Sequence, residues 1–275
     1  MNNIKPGIHR NVPAAEYHSW PFASASRLNR LYETCPAVVR YEMGNPKEPT
    51  PAMLLGSAIH TAVLEPEKFA GEVVAAPDVD RRTKEGKAEW AAFVAASAGK
   101  IVLSADDYAK AVAIGAAVRR LPVAAAALER RTETELTAIY DDPESGVRCK
   151  CRMDGVIVSP ASGLAVLLDL KTTASAHPRQ FQKSIAEFGY HRQFALYQRA
   201  AAANGIVLAD VVIVAIEKNA PYPVACYSLD RDDIAFGWEQ VQHLLHRWAA
   251  CKGMAEWPGY SEQVETISLP AWARK

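Results

Sequence analysis

The sequence predicts an α/β protein, helical in its first half and strand-based in its second. Three observations predict this. Apolar residues recur at helical spacing up to about residue 130. Between residues 134 and 171 the pattern changes to short alternating runs separated by turn-forming clusters. Helix-like and strand-like stretches then follow one another to about residue 251. A chain of 275 residues, 49% hydrophobic and 23% charged, has the composition of a globular protein with apolar material for a real core. It reads as one domain over 1–275, with a mainly helical part, 1–130, that carries His60, and an α/β part, 131–275.

The elements follow in order. Residues 24–43 are helical, with Ser24 or Ser26 placed to cap the first turn, and Pro36 ends one helix and begins another because it lacks a backbone donor. Residues 52–64 are apolar nearly all round and read as a buried helix ending before Pro66, with His60 as its one strongly polar side chain. Residues 81–120 give two helices. Trp90 and Phe93 form an apolar patch on the first, and Ser104 with Asp107 resembles a capping box on the second. Strands are expected at 134–140, 147–158 and 164–171, and their short connections favour an antiparallel meander. A helical stretch over 179–204, interrupted near Gly189, precedes strands at 208–217 and 223–229 and a helix over 232–251.

The 31 basic and 31 acidic residues cancel, which excludes a global electrostatic pull toward nucleic acid or anionic membrane and leaves only local patches. The longest apolar runs, 121–128 and 211–216, fall short of the roughly 18 residues that span a bilayer, so no membrane association is expected. Residues 1–7 lack the apolar stretch of a secretory signal, and five scattered cysteines suit free thiols better than a disulfide framework. The expected location is cytoplasmic.

The chemistry concentrates in the second and third strands. Alternation puts Val147, Cys149, Cys151 and Met153 on one face and Arg148, Lys150, Arg152 and Asp154 on the other. In the third strand Asp169 and Lys171 share a face, opposite Val166, Leu168 and Leu170. A hairpin through residues 159–163 would bring Asp154 and Asp169 together with Lys171 alongside. Two such carboxylates repel unless a cation offsets them. Aspartate oxygens with a backbone carbonyl, that of Leu170, suit a hard ion such as Mg²⁺ or Mn²⁺. Such an ion acidifies a bound water and stabilises charge on a phosphoryl oxygen, and Lys171 is placed to orient that water. The chemistry suggested is phosphodiester hydrolysis. On spacing alone, an Asp and a Lys two residues apart at a strand end are commonly just a solvated edge, and a histidine on an apolar helix is commonly a hydrogen-bonded core residue.

Asp154 followed by Asp169-Leu170-Lys171 resembles the D…(D/E)xK signature of the PD-(D/E)xK nuclease superfamily. Gly56-Ser57-Ala58-Ile59-His60 resembles the GxxxH helix motif of its RecB-like members, whose histidine is a metal ligand. Gln193-Phe194-Ala195-Leu196-Tyr197 resembles their QxxxY motif, which lies against the active site and the DNA backbone. Segments around Tyr17-His18, Ser24 to Leu28, Pro51 to His60, Arg81 to Lys87, Cys151 to Asp154 and Tyr190 to Gln193 are similar to the RecE-type (exodeoxyribonuclease VIII-like) branch found in phages and prophages, over about residues 6–230.

The resemblance implies a restriction-endonuclease-like core, with a mixed central sheet flanked by helices and a helical N-terminal region. It implies an exonuclease using Mg²⁺, with Mn²⁺ as the alternative. His60, Asp154 and Asp169 would hold the metal with the Leu170 carbonyl, and Asp154, Asp169 and Lys171 would be catalytic. Gln193, Tyr197, Arg192 and Arg152 would support the site or contact DNA. Linear duplex DNA would be digested 5′ to 3′, and the 3′-ended strand would pass to a single-strand annealing protein of the RecT type. A homo-oligomeric ring is expected, and the chain would be essentially the nuclease domain alone. The rival readings are a non-catalytic DNA-end-binding or assembly protein that keeps the fold, and a RecB-like module serving a separate helicase, since the sequence has no GxxxxGK[ST] loop.

Several further residues carry expectations. Glu135 could add a carboxylate, as an upstream acid does in some superfamily members. Residues 171–199 carry a local excess of four positive charges, a candidate phosphate track. Arg81, Arg82, Lys84 and Lys87 form a second basic patch, while His177 and His191 read as surface residues. Some relatives hold an iron–sulfur cluster, and Cys35-Pro36 resembles its first ligand. The C-terminal part offers only Cys226 and Cys251, so no such cluster is expected.

Overall fold

The computed structural model describes residues 4–274. Met1, Asn2, Asn3 and Lys275 lie outside it, the first three within the stretch inspected for a secretory signal. In chain order the elements are β1 (Gly7–His9), α1 (Ala14–Ser19), α2 (Ala25–Glu33), α3 (Pro36–Gly44), α4 (Pro51–Leu64), α5 (Pro66–Glu72), β2 (Val73–Ala75), α6 (Lys84–Ala96), β3 (Ile101–Leu103), α7 (Ala105–Arg120) and α8 (Pro122–Glu129). There follow β4 (Glu133–Asp141), β5 (Arg148–Val158), β6 (Ala165–Thr173), α9 (Pro178–Glu187), α10 (Tyr190–Ala203), β7 (Leu208–Glu217), β8 (Val224–Ser228) and α11 (Arg231–Met254).

Local chemistry explains many of the boundaries. Pro36, Pro51, Pro66, Pro122 and Pro178 each open a helix, where the missing N–H is no loss. Thr50, Thr83 and Ser104 accept first-turn backbone N–H bonds through their hydroxyls. The break near Gly189 is a left-handed residue, φ +64°, between α9 and α10, and a Cβ there would lie 2.6 Å from Asn29 Oδ1. Helices α1, α5 and α8 and the three-residue strands were not expected, because so few residues leave no periodic signal.

Six strands form one mixed sheet in the order β1-β4-β5-β6-β7-β8. All neighbours are antiparallel except β6 and β7, which the crossover through α9 and α10 makes parallel. The expected α/β architecture is therefore present, with the meander β4-β5-β6 at its centre. One face packs against α2, α10 and α11 through residues such as Cys151, Leu167, Phe194 and Leu245. The other packs against α4, α7 and α8 through Leu168, Leu170, Ile59 and Ile114. Strands β2 and β3 form a separate parallel pair beside that second core. No single helix is long and apolar enough to cross a membrane among the described residues.

The charged face of β5 is covered, because the N-terminal strap of β1, α1 and the turn after it lies over it. Lys150 is 2% exposed, with its ammonium donating to the carbonyls of Tyr17 and Trp20. Arg148 donates to Ile4 O at 2.9 Å and Arg152 to Val12 O at 2.7 Å. Burial, then Arg27 and Arg152, push the Lys150 ammonium down to about 7. His191, expected on the surface, is buried and bonded through Nε2 to Gln240 Oε1 at 3.0 Å. His177 is exposed, as expected.

Helix α11 supports α10 across a close approach at Gly237, where a Cβ would lie 2.5 Å from the His191 carbonyl oxygen. Neither backbone can yield without shifting a helix. Gly237→Ala is expected to cost about 1–3 kcal/mol, as overpacking does, measured as a lower urea midpoint at unchanged slope. An unchanged midpoint would mean that the two helices slide freely.

Candidate metal centre

The ladder between β5 and β6 runs from Val158↔Ala165 to Gly155↔Leu168 and stops. In that register the next pair would be Asp154 and Asp169, so the two aspartates stand where the strands part. Asp154 takes the place of the missing strand partner, its Oδ2 accepting the Leu170 N–H at 2.8 Å. The N–H and C=O of one strand residue point to the same side, so the Leu170 carbonyl is turned toward this opening as well.

Two groups of side chains meet at the opening. In the first, one ligand atom each from His60, Glu135 and Asp154 lies within 4.8 Å of the others, with His60 Nδ1 3.6 Å from Asp154 Oδ2. His60 arrives from α4 on one side of the sheet, Asp154 from β5 and Glu135 from β4. The β4–β5 register places Glu135 opposite Asp154, between the pairs Thr134↔Gly155 and Leu136↔Met153. Glu135 has φ +50°, a left-handed residue inside a strand. For a non-glycine residue that conformation is strained, and such strain gathers at functional positions. Burial, and then the neighbouring Asp154, push the Glu135 carboxyl up to about 8.

In the second group, Asp169 is wholly buried and its two oxygens have different partners. Oδ1 accepts from Gln193 Nε2 at 3.0 Å, and Oδ2 lies 2.5 Å from the Lys171 ammonium. That contact is a charge-assisted hydrogen bond as well as an ion pair, so both Asp169 oxygens are engaged. Burial raises the Asp169 carboxyl, Lys171 opposes this, and Asp154 adds to it. Burial lowers the Lys171 ammonium, but Asp169 and Asp154 outweigh it and leave the group raised. Lys171 therefore holds its proton while lying 4.9 Å from the centre of the Tyr190 ring.

The first group borders a cleft of about 1040 Å³ whose lining includes His60, Glu135, Asp154, Arg152, Gln193 and Tyr197, whereas Asp169 and Lys171 meet it only through Gln193 and Asp154. Gln193 and Tyr197 sit one turn apart on α10, as the i, i+4 spacing requires. Arg152 reaches the rim, but its guanidinium is held by Val12 O and lies 3.7 Å from Glu135. Arg192 is not brought to the cleft. It is buried, with Nε donating to Asn29 Oδ1 at 2.6 Å, Nη1 to Gln240 at 2.9 Å, and its guanidinium 4.1 Å from the Tyr32 ring centre. The basic stretch is therefore split: Arg179, Lys183 and Arg199 are exposed, while Arg192 is internal and Lys171 belongs to the site. Arg81 stacks 3.5 Å over Trp90 and Arg82 pairs with Asp80, whereas Lys84 and Lys87 are exposed on α6. The cysteines are dispersed, with Cys149 and Cys151 in the core under β5.

Two arginines that sequence reasoning passed over fix His60. Arg119 donates to the carbonyls of Ala62 and Val63, and Arg131 to that of Leu64 at 2.6 Å. These are the unpaired carbonyls at the end of α4, where cations also favour the helix dipole. No spacing rule reveals such long-range contacts.

The donor set suits a hard divalent cation. Carboxylate oxygens of Glu135 and Asp154 and an imidazole nitrogen of His60 converge within 4.8 Å of one another. The family described as a PDDEXK-like domain of unknown function (DUF3799) matches residues 24–270. The chain belongs to that family. It is thereby a member of the PD-(D/E)xK nuclease superfamily, in which divalent metals are generally used. Among solved structures, a candidate exonuclease from Eubacterium rectale is similar over 96% of each chain, at 14% identity and a TM-score of 0.60. That likeness supports the shared fold. A second, SSO0001, covers 72% of this chain and 86% of its own at 14% identity, with a TM-score of 0.30, too loose to argue from. No curated protein matches the sequence.

In the metal-free PDDEXK-like domain, Glu135 keeps its proton to about pH 8, whereas the unfolded chain releases it near the ordinary value of 4.5. Between these values the unfolded state binds fewer protons, so stability falls as pH rises. In EDTA, thermal melts from about pH 5 to 8 should decline, and Glu135→Gln should flatten the decline. Equal slopes for the two proteins would remove Glu135 from this role. Because an ion competes with that proton, added Mg²⁺ should raise Tm more at about pH 8 than at about pH 5, and Asp154→Asn should abolish the gain.

Proposed function

We propose that this PDDEXK-like domain is a metal-dependent exonuclease acting on linear duplex DNA, digesting 5′ to 3′ and leaving 3′ single-stranded ends for recombination. The observation that carries this reading is the convergence of His60, Glu135 and Asp154 beside the Asp169–Lys171 pair, where β5 and β6 separate. The candidate exonuclease from Eubacterium rectale supports the fold, and the RecE-type resemblance supports polarity and role. On the same resemblance we propose a RecT-type annealing partner, a homo-oligomeric ring, and action in the cytoplasm of a bacterial cell, phage or prophage encoded.

In this reading His60, Glu135, Asp154 and the Leu170 carbonyl would hold the cation, with Mg²⁺ the expected ion, and Asp169, which the resemblance assigned to the metal, is given up as a ligand because its two oxygens are taken by Lys171 and Gln193. Once bound, the cation offsets the clustered carboxylates, acidifies water and neutralises charge on the scissile phosphate. Lys171, kept protonated by Asp169 and Asp154, donates hydrogen bonds to the attacking water and orients it toward phosphorus. Asp169 anchors Lys171, and Gln193 fixes the Asp169 carboxylate by bonding its other oxygen. Tyr197, one turn along α10, borders the cleft where the DNA backbone would pass.

Purified protein with Mg²⁺ should degrade linear duplex DNA and spare closed circles, while EDTA abolishes turnover. Lys171→Met and Asp169→Asn should each lower the rate by at least about a hundredfold, the scale of a lost proton-transfer or charge-stabilising group, and leave binding to duplex ends in EDTA intact. Equal attack on circles would make the protein an endonuclease. End-dependent binding without turnover in either Mg²⁺ or Mn²⁺ would make it the non-catalytic relative. Duplexes labelled at one 5′ or one 3′ end read the polarity, since 5′-to-3′ digestion releases the 5′ label first.

A further inference from the structure

A second cavity, of about 1000 Å³, opens on the other side of the N-terminal strap and belongs to no part of the metal centre. Phe22 and Trp257 are its half-buried aromatic surfaces, Trp20 and Trp248 pack beneath them at 3% exposure each, and Arg40 and Lys252 stand exposed at its edge. Trp248 and Trp257 meet edge to face, with centroids 5.4 Å apart at 86°. The Arg40 guanidinium lies 6.0 Å from the Trp257 ring centre. A third cation, Arg148, is already committed to Asp141 at 2.7 Å and to Ile4 O at 2.9 Å. Asp141 is the one acid in the lining, and Arg148 chiefly holds its carboxyl below the usual range. Neither Arg40 nor Lys252 has an ion-pair partner among the described residues, so the cavity carries a net excess of two positive charges over an aromatic floor.

We propose that this cavity binds a single-stranded stretch of the nucleic acid on which the metal centre acts, an inference that rests on the nuclease reading of that centre. Aromatic surfaces flanked by unneutralised cations are what stacked bases and backbone phosphates require, without sequence preference. An apolar peptide would cover the rings but strand the two cations. The position fits as well. Tyr17 and His18 of the strap wall the metal-site cleft, and Ser19 to Phe22 wall this cavity, so the strap contributes to both. Arg148 and Asp154 border the two spaces on the same strand, six residues and about 20 Å apart. That span is a few nucleotides, and because the strap covers β5 between the two residues, a strand reaching from the cleft to the cavity would pass over the strap.

The probe is a fluorescein-labelled oligothymidylate of about twelve residues, bound in EDTA so that nothing is cleaved and read by anisotropy. The double variant Arg40→Glu/Lys252→Glu, altered only at exposed positions, should bind at least about tenfold more weakly. Its slope of log K against log salt should be shallower by about 1.4, the contribution of two single-strand phosphates. Trp257→Ala should also weaken binding roughly tenfold, and Trp257→Phe should restore most of it. Asp154→Asn should keep oligonucleotide binding unchanged while losing hydrolysis. If Asp154→Asn still hydrolyses DNA, the nuclease site is wrong whether or not the cavity binds. Binding by the charge-reversed variant with wild-type affinity and salt slope would overturn the cavity proposal, whatever the outcome of the hydrolysis assay.

Discussion

The hydrogen bond from the Leu170 N–H to Asp154 Oδ2 is the contact on which the metal centre depends. A backbone N–H deep in a sheet must be paired, and beyond Gly155 the neighbouring strand no longer pairs it. The Asp154 side chain does so instead. The gap between β5 and β6 can therefore exist without a stranded backbone donor, and the carboxylate that closes it is presented to the same gap. One residue serves both the backbone and the chemistry. Loss of the carboxyl group would disturb the strand end as well as the ligand set, whereas an amide retains an acceptor for Leu170 and removes only the charge.

The electrostatics of the site run against folding. Three carboxylates and an imidazole crowd one strand opening, two of the carboxyls are raised by burial, and Glu135 is held in a left-handed conformation inside β4. Buried ionisable groups are tolerated when something else holds them in place. Here Lys171 offsets part of the charge, Gln193 ties down Asp169, and the arginine-clamped end of α4 holds His60. What remains is a set of hard donors in which Glu135 holds a proton where a divalent cation would sit, and binding the cation displaces that proton.

The sequence made the strand carrying Asp169 and Lys171 legible because a carboxylate and an ammonium on one face of an otherwise apolar strand break a strong pattern. The helix of His60 was legible because prolines bound it and apolar residues fill it. Glu135 was harder. It looks like any acid near a strand start, and only the β4–β5 register shows that it faces Asp154. The cover over the charged side of β5 was not legible, because alternation reports chemistry, not cover. The strap that buries Lys150 comes from residues more than a hundred positions away, and a lysine that donates to two carbonyls leaves no periodic trace. Arg192 and His191 were misplaced for the same reason, since their partners Asn29 and Gln240 lie on distant helices.

These misreadings share a physical consequence for how the two halves of the chain relate. The helical N-terminal part is not an appendage to a self-sufficient α/β core. It covers one face of β5 through the strap, packs α2 against α10, and delivers His60 from the opposite side of the sheet. Besides the apolar cores and the β1–β4 ladder, side-chain cations on backbone carbonyls hold it: Lys150, Arg148 and Arg152 on the strap, Arg119 and Arg131 on α4. Each satisfies carbonyls that neither a helix nor a ladder pairs, and each buries charge only where those carbonyls surround it. The neutral net charge of the chain thus conceals a division of labour. Several of its cations are spent inside the fold, and few of those near the cleft remain to meet a phosphate backbone.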